Sequence, residues 1–426
     1  MPKKKAATAG TKKKVAKKVS KKKTSGQIKK KAAKKTAGKV ATKGERVMPK
    51  PTSKKAKAWA SGTVGSILSA KDPRSELERQ TPAWLKKLRI AEKESLDRIS
   101  IERYRAEQVL KARRDELIKL PDVNGLHVGY RHRKGKISYP LEICIRIHVD
   151  TKYPNPKDGR IVSSFPDQFD GVPVDILCRR YEIIASPRDP ANRAADPAIT
   201  TNPPPTRRFD PLRGGIAIAN ANSVENWGTL GLPVFRNGEL VLLTNAHVAR
   251  SGASTFPQPV LHPPTVGGPV VGELTSGSSS FSIRDESMDA AFITIKGASA
   301  KVKLFGPDRD FTNLPLRIGY ASNSQEVFII GAASELYGGV GRIQTIHGTV
   351  DIHGFKTMKN QIIATPNDPA IPMLIPGDSG SVLLAFSDAT ETALDVVGLV
   401  HAKGDDGALI ATPIQRIQEL FRFTLF

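Results

Sequence analysis

Between residues 211 and 426, short apolar runs recur at close intervals, each bounded by Gly, Pro, Asn or Ser. They fall at 240–243, 289–295, 327–330, 382–384 and 396–401. Runs this short, punctuated by turn residues, suit strands better than helices. The pattern predicts a mainly β fold, a barrel or sandwich, for this half of the chain. One further helix is expected at 413–421.

Upstream the pattern changes twice. From 141 to 150 the alternation is strict, with Leu141, Ile143, Ile145, Ile147 and Val149 on one face. Glu142, Cys144, Arg146, His148 and Asp150 fall on the other, a period of two that predicts a strand. Lys134-Gly135-Lys136 marks a turn before it. A turn at Asp170-Gly171 opens a second strand at 172–177. Residues 123–186 therefore read as a small α/β module, and the Pro-, Ala-, Asn- and Arg-rich stretch 187–210 as a linker. Residues 75–121 read as one long charged helix. Thr81-Pro82 supplies an N-cap and a proline at the first helical position, and Leu120-Pro121 ends it. Leu85, Leu88, Leu96, Ile99, Leu110 and Leu117 form a patchy apolar face. That face packs on the body, or pairs in a helical hairpin, or dimerises.

Charge is concentrated at one end. Of the formal net charge of +25, residues 1–60 carry +22, from 22 Lys and one Arg against the single acid Glu45. Low-complexity Lys, Ala, Thr and Ser bury too little apolar surface to offset the entropy of ordering, so this tail is expected to be disordered. Its composition resembles the Lys/Ala-rich tails of linker histones and of bacterial histone-like proteins. Such a tail binds nucleic acid by neutralising phosphates, without reading sequence. The candidate contacts are Lys12, Lys13, Lys14, Lys17, Lys18, Lys21, Lys22, Lys23, Lys29 and Lys30. RNA, acidic proteins or a membrane surface are the competing partners. No aromatic precedes Trp59, so base stacking is not indicated.

Cys144 and Cys178 are too few for a disulfide framework and fit a reducing compartment. No apolar run reaches membrane-spanning length, and no apolar stretch follows the basic N-terminus as in a secretory signal. An intracellular setting, cytoplasm with nucleoid or nucleus, is expected. No metal or cofactor is called for, and oligomeric state is not legible.

Three blocks carry candidate chemistry. Pro376-Gly377-Asp378-Ser379-Gly380-Ser381 puts a serine between glycines, directly before the apolar run 382–384. Glycine lets the backbone turn so that the N–H groups of Gly377 and Ser379 point into one hole. Leu242-Leu243-Thr244-Asn245-Ala246-His247 delivers a histidine just past a strand. Asp289-Ala290-Ala291-Phe292 places an acid at the mouth of another strand, and its nearest competitor, Asp285, lacks that strand. A serine hydroxyl is a weak nucleophile that needs a base in reach, and the base needs a third group to fix its tautomer.

Together the blocks resemble chymotrypsin/trypsin-like serine peptidases, in the order His247, Asp289, Ser379. The resemblance implies a double β-barrel, with His247 and Asp289 in the first barrel and Ser379 in the second. It implies an oxyanion hole from Gly377 and Ser379, and endopeptidase activity on protein. Val397-Gly398-Leu399-Val400-His401-Ala402 resembles the strand lining the primary specificity pocket. Met373 falls near the expected base of that pocket, so no carboxylate for Lys or Arg is evident there. His401 either projects into the pocket, favouring an acidic or amide side chain, or packs on its strand. Pro211-Leu212-Arg213-Gly214-Gly215, Gly228-Thr229-Leu230-Gly231 and Gly171-Val172-Pro173-Val174 look like the bacterial and plant Narrow Leaf-type peptidases.

The chain departs from digestive trypsins in Ser381, which replaces the usual second Gly, and in lacking their disulfides. No freed N-terminus is expected to pair with Asp378. The alternative to a nucleic-acid-tethered endopeptidase that cleaves DNA-associated proteins or itself is an inactive peptidase scaffold that binds DNA or protein.

Overall fold

The computed structural model describes residues 90–120, 122–133, 136–137, 141–150, 165–183, 205–252, 255–283, 286–305, 314–334, 339–352, 356–387 and 392–425. The basic tail, most of the 187–210 stretch, Asp285, and the helix before Ile90 lie outside these.

The chain is mainly β. α1 (Ile90–Leu117) leads into β1 (Val123–Tyr130), β2 (Ile143–Val149), β3 (Val172–Cys178) and β4 (Tyr181–Ile183). The first barrel follows, with β5 (Ala217–Asn220), β6 (Gly228–Thr229), β7 (Leu232–Arg236) and β8 (Glu239–Thr244). It continues through the single-turn α2 (Ala246–Ala249), β9 (Gln258–Leu261), β10 (Val270–Ile283) and β11 (Glu286–Ile295). The second contains β12 (Glu326–Ile329), β13 (Gly341–Ile352), β14 (Lys356–Pro366), β15 (Val382–Phe386), β16 (Leu394–Gly404) and β17 (Leu409–Pro413). α3 (Ile414–Phe421) and β18 (Phe423–Thr424) end it.

The first sheet runs β6-β5-β9-β10-β11-β8-β7-β18. It curls on itself because Thr229, paired with Ala217 on β5, runs straight on to Gly231, whose N–H donates to Leu243 O on β8 at 2.8 Å. The second sheet runs β12-β15-β16-β17-β14-β13, and β12 pairs back onto β13 to close six strands. These paired barrels are the chymotrypsin-like architecture that the strand spacing and the three blocks implied. One apolar core spans both, with Leu243 and Phe292 of the first packed with Leu384 and Val396 of the second. α3 seals it with Ile414, Ile417 and Phe421, a helical 3–4 spacing. β18 then returns to the first sheet, pairing Phe423 with Arg236.

The strands β1, β2 and β3 do not form a sheet of their own; only the short His132–Arg133 and Lys136–Ile137 pair stands apart. β1 pairs with β13 through Gly125↔Val350 and Leu126↔Thr349, so β1, β2 and β3 extend the second barrel's sheet. The Asp170-Gly171 turn has positive φ at both residues, 49° and 76°, as a tight hairpin requires. β2 also differs from a half-exposed strand. Its apolar face packs under α1, and its polar face is buried as well, with Cys144, Arg146 and His148 at 0–2% exposure. The cover is Tyr181, whose hydroxyl meets His148 Nδ1, and Arg179, which pairs with Asp406.

α1 packs on the body, with Ala106, Val109, Leu110 and Leu117 buried against β1 and β2. Arg113 forks onto the Asp170 carboxylate at 3.1–3.3 Å, and Arg114 reaches His347 O at 3.2 Å. Truncation of Leu117, which is fully buried, removes side-chain contacts and leaves a cavity. Leu117→Ala is expected to lower stability by about 2–5 kcal/mol, read as a shifted urea midpoint with the slope kept.

Candidate active site

The first-barrel half of the site follows from the β8–β11 register. Thr244 pairs with Ala291, so the residues leaving β8 lie over Asp289. The chain turns there into α2. Asn245 Nδ2 donates to Asp289 O at 2.7 Å, and Asp289 Oδ1 accepts the N–H groups of Ala246 at 2.7 Å and His247 at 3.2 Å. Asp289 Oδ2 meets His247 Nδ1. A carboxylate accepts only, so Nδ1 carries the proton and Nε2 offers a lone pair. That lone pair lies 2.7 Å from Ser379 Oγ.

Asp289 is 1% exposed. Burial pushes its carboxyl up, but the His247 imidazole beside it and the hydrogen bonds it accepts outweigh this and hold it below the ordinary carboxylate value.

The second-barrel half is the loop before β15. Gly377 and Gly380 have φ of +104° and +96°, in the left-handed region. A side chain at Gly377 would also run into the Trp227 ring. Among the described residues the N–H groups of Gly377 and Ser379 donate no hydrogen bond. The Asp378 carboxylate points away from them. It accepts the N–H groups of Ala333 at 3.0 Å, Ser334 at 2.9 Å and Ile375 at 2.9 Å. Burial pushes this carboxyl up against the pull of those donors. Backbone N–H groups thus satisfy this buried carboxylate.

Three further residues meet at the site that were not singled out in the sequence. Asn245 Oδ1 lies 3.1 Å from Ser379 Oγ, its orientation fixed because Nδ2 faces a carbonyl, so it is a second acceptor beside the nearer His247 Nε2 for the one hydroxyl proton. Thr229 ties the barrels together: its N–H donates to Ser379 O at 2.7 Å and its hydroxyl to Gly377 O at 2.9 Å. Trp227 packs on Gly377. In the sequence Thr229 stands only in Gly228-Thr229-Leu230-Gly231, which marks a family resemblance and not the site.

The two residues expected at the specificity pocket are both buried. Met373 sits in the second-barrel core with Ile343 and Leu383. His401 Nε2 lies 3.0 Å from Gln361 Oε1. Gln361 Nε2 donates to Lys359 O, so Oε1 faces the ring and Nε2 of His401 is the protonated nitrogen. Its Nδ1 is buried without a partner. Burial pushes His401 down to about 4, so the ring is neutral at neutral pH. The lysines of the tail lie outside the described residues. Among those residues no cluster of three or more His, Cys, Asp or Glu could hold a metal ion, and no helix is long and apolar enough to cross a membrane.

No family model matches the chain, and no curated protein does. Solved structures to which it is similar include a glutamic-acid-specific serine protease that uses a histidine triad in substrate binding, at 18% identity and TM-score 0.38 over 50% of this chain and 100% of that one. They also include a Cellulomonas bogoriensis chymotrypsin, at 18% identity and TM-score 0.36 over 51% and 99%. Protease A of Thermobifida fusca matches at 14% identity and TM-score 0.34 over 50% and 97%.

Because the folded carboxyl of Asp289 lies below its unfolded value of ~3.9, it adds stability that is present in full above that value. The contribution is lost as pH falls through the folded value. The stability difference between the natural chain and Asp289→Asn is therefore expected to be flat near neutrality and to shrink on acidification, measured by urea titrations across pH. The chemistry open to this arrangement is proton transfer from Ser379 Oγ to His247 Nε2.

Proposed function

We propose that the chain is a serine endopeptidase with Ser379 as nucleophile, His247 as general base and Asp289 as its orienting acid. The observation that carries this is the 2.7 Å approach of Ser379 Oγ to His247 Nε2, with Nδ1 held by a buried carboxylate. Oγ attacks a peptide carbonyl as His247 takes its proton. The imidazolium then returns that proton to the leaving amine. The N–H groups of Gly377 and Ser379 hold the oxyanion, each worth about 3 kcal/mol in such a site. Asp289 stays ionised and fixes the ring. Asp378 needs no cleaved N-terminus, so the loop is set for work in the uncleaved chain.

In this reading the primary specificity is for an acidic or amide side chain, with His401 as the polar group on the wall strand. The kinship is with the Narrow Leaf-type peptidases, and the setting is intracellular. The +22 segment 1–60, through lysines such as Lys12–Lys14 and Lys21–Lys23, tethers the enzyme to nucleic acid. Its substrates are then DNA-associated proteins or the chain itself.

Two experiments test this. A fluorophosphonate is expected to label the natural chain covalently and to leave Ser379→Ala unlabelled, and labelling that survives the substitution overturns the assignment. In gel shifts on duplex DNA, removal of residues 1–60 is expected to abolish binding. The intact chain should lose on the order of 10³-fold in affinity or more between 50 and 200 mM salt. Equal affinity with and without the tail refutes the tether.

A further inference from the structure

A peptide attacked by Ser379 must bring its carbonyl within about 3 Å of Oγ and of the Gly377 and Ser379 N–H groups. The backbone beside the nucleophile is pinned to β16. Gly380 N donates to Val400 O at 3.0 Å, and Val400 N to Ser381 O at 2.9 Å. Past Val400 the nucleophile's own segment leaves that edge of β16. The edge at 402–404 is then the strand edge next to Ser379. Extended peptides gain main-chain hydrogen bonds by adding to such an edge.

That edge is occupied. A strand has two edges, and β17 fills one through Ala402↔Ile410 and Lys403↔Leu409. β4 fills the other, antiparallel, through Ile183↔Ala402, Glu182↔Lys403 and Tyr181↔Gly404. The direction matters as much as the pairing. β4 enters at Gly404 and runs towards Val400, so its C-terminal end faces the nucleophile. An acyl donor lying on this edge with its carbonyl at Ser379 takes the same course.

We propose that β4 is a built-in competitor: the chain lays its own Tyr181–Ile183 along the strand edge that a substrate's acyl side needs, and so holds the peptidase partly closed in cis. This rests on the peptidase reading above. The strand is anchored at the end far from the nucleophile. Arg179 pairs with Asp406, Arg180 N donates to Asp405 Oδ1 at 3.2 Å, and Asp405 N donates to Arg180 O at 3.0 Å. Tyr181 is fully buried against Val350, Met358 and Ile363. Glu182 and Ile183, nearer the nucleophile, are only partly buried. A substrate can displace these two residues from the edge while the anchor holds.

The test compares the full chain with Glu182→Pro, which restricts the strand and deletes one N–H, using fluorescein-labelled casein and a fluorophosphonate. A competitor in cis lowers apparent affinity by the fraction of chains that are closed. Casein cleavage by Glu182→Pro is therefore expected to rise roughly tenfold, with the gain in KM and not in kcat. Labelling, which needs no strand pairing, should be unchanged. Equal or slower casein cleavage with labelling retained overturns the proposal.

A second variant guards against misfolding. Glu182→Cys and Lys403→Cys, in register across the two strands, are joined by a disulfide in a Cys178→Ser background. Oxidation is expected to stop casein cleavage and reduction to restore it, with labelling constant. Equal rates oxidised and reduced overturn the proposal. If the natural chain takes no label at all, the peptidase reading itself falls and this one falls with it.

Discussion

The Asp289 carboxylate is the point on which the site turns. A buried charge is tolerated only when it is paired and hydrogen-bonded. Asp289 meets that demand with donors from a single turn, the N–H groups of Ala246 and His247 and the His247 ring. The demand works in both directions. The acid fixes where the chain must turn after β8, and the turn fixes which face of the imidazole looks at the second barrel. Asn245 completes the set by holding Asp289 O with one side of its amide and facing Ser379 Oγ with the other. The same buried groups stabilise the first barrel's rim and orient its base.

The nucleophile arrives from the other barrel, so its position depends on how the two are joined. Thr229 supplies a direct tie, with its N–H on Ser379 O and its hydroxyl on Gly377 O. Ala332 N donates to that same hydroxyl at 3.0 Å. The shared apolar core and the return of β18 to the first sheet hold the barrels at a fixed separation. Backbone donors around Asp378 then set the oxyanion loop from within the second barrel. The loop's glycines are needed because a Cβ at 377 would strike Trp227, a first-barrel residue.

The leading strands belong to this same framework. Because β1 adds to β13 and β4 adds to β16, the region before the barrels is woven into the second one. That weave accounts for the buried polar face of β2. Tyr181 and Arg179 lie over it on their way to β16, and His148 and Arg146 are satisfied in part by them and by Asp175 and His132. The strand that closes this face ends on Ala402, two residues past Val400, whose carbonyl accepts Gly380 N.

Local chemistry made several features readable in the sequence alone. Period-two alternation identified β2. Short apolar runs identified β8, β11, β12, β15 and β16, and Asp170-Gly171 identified the turn that opens β3. His247, Asp289 and Ser379 were singled out because each stands beside its own strand signal, and the fold brings the three together. Tertiary contacts decided the rest. Asn245 and Thr229 join the site only because two strands far apart in sequence are brought into register, and neither residue type marks itself. Met373 joins the second-barrel core because that barrel closes around it. The polar face of β2 is buried, not solvated, because a partner strand covers it. The sequence determined the parts and the chemistry each can perform. Only the fold decided which backbone edges are filled, since edge pairing between distant segments leaves no periodic trace in either one.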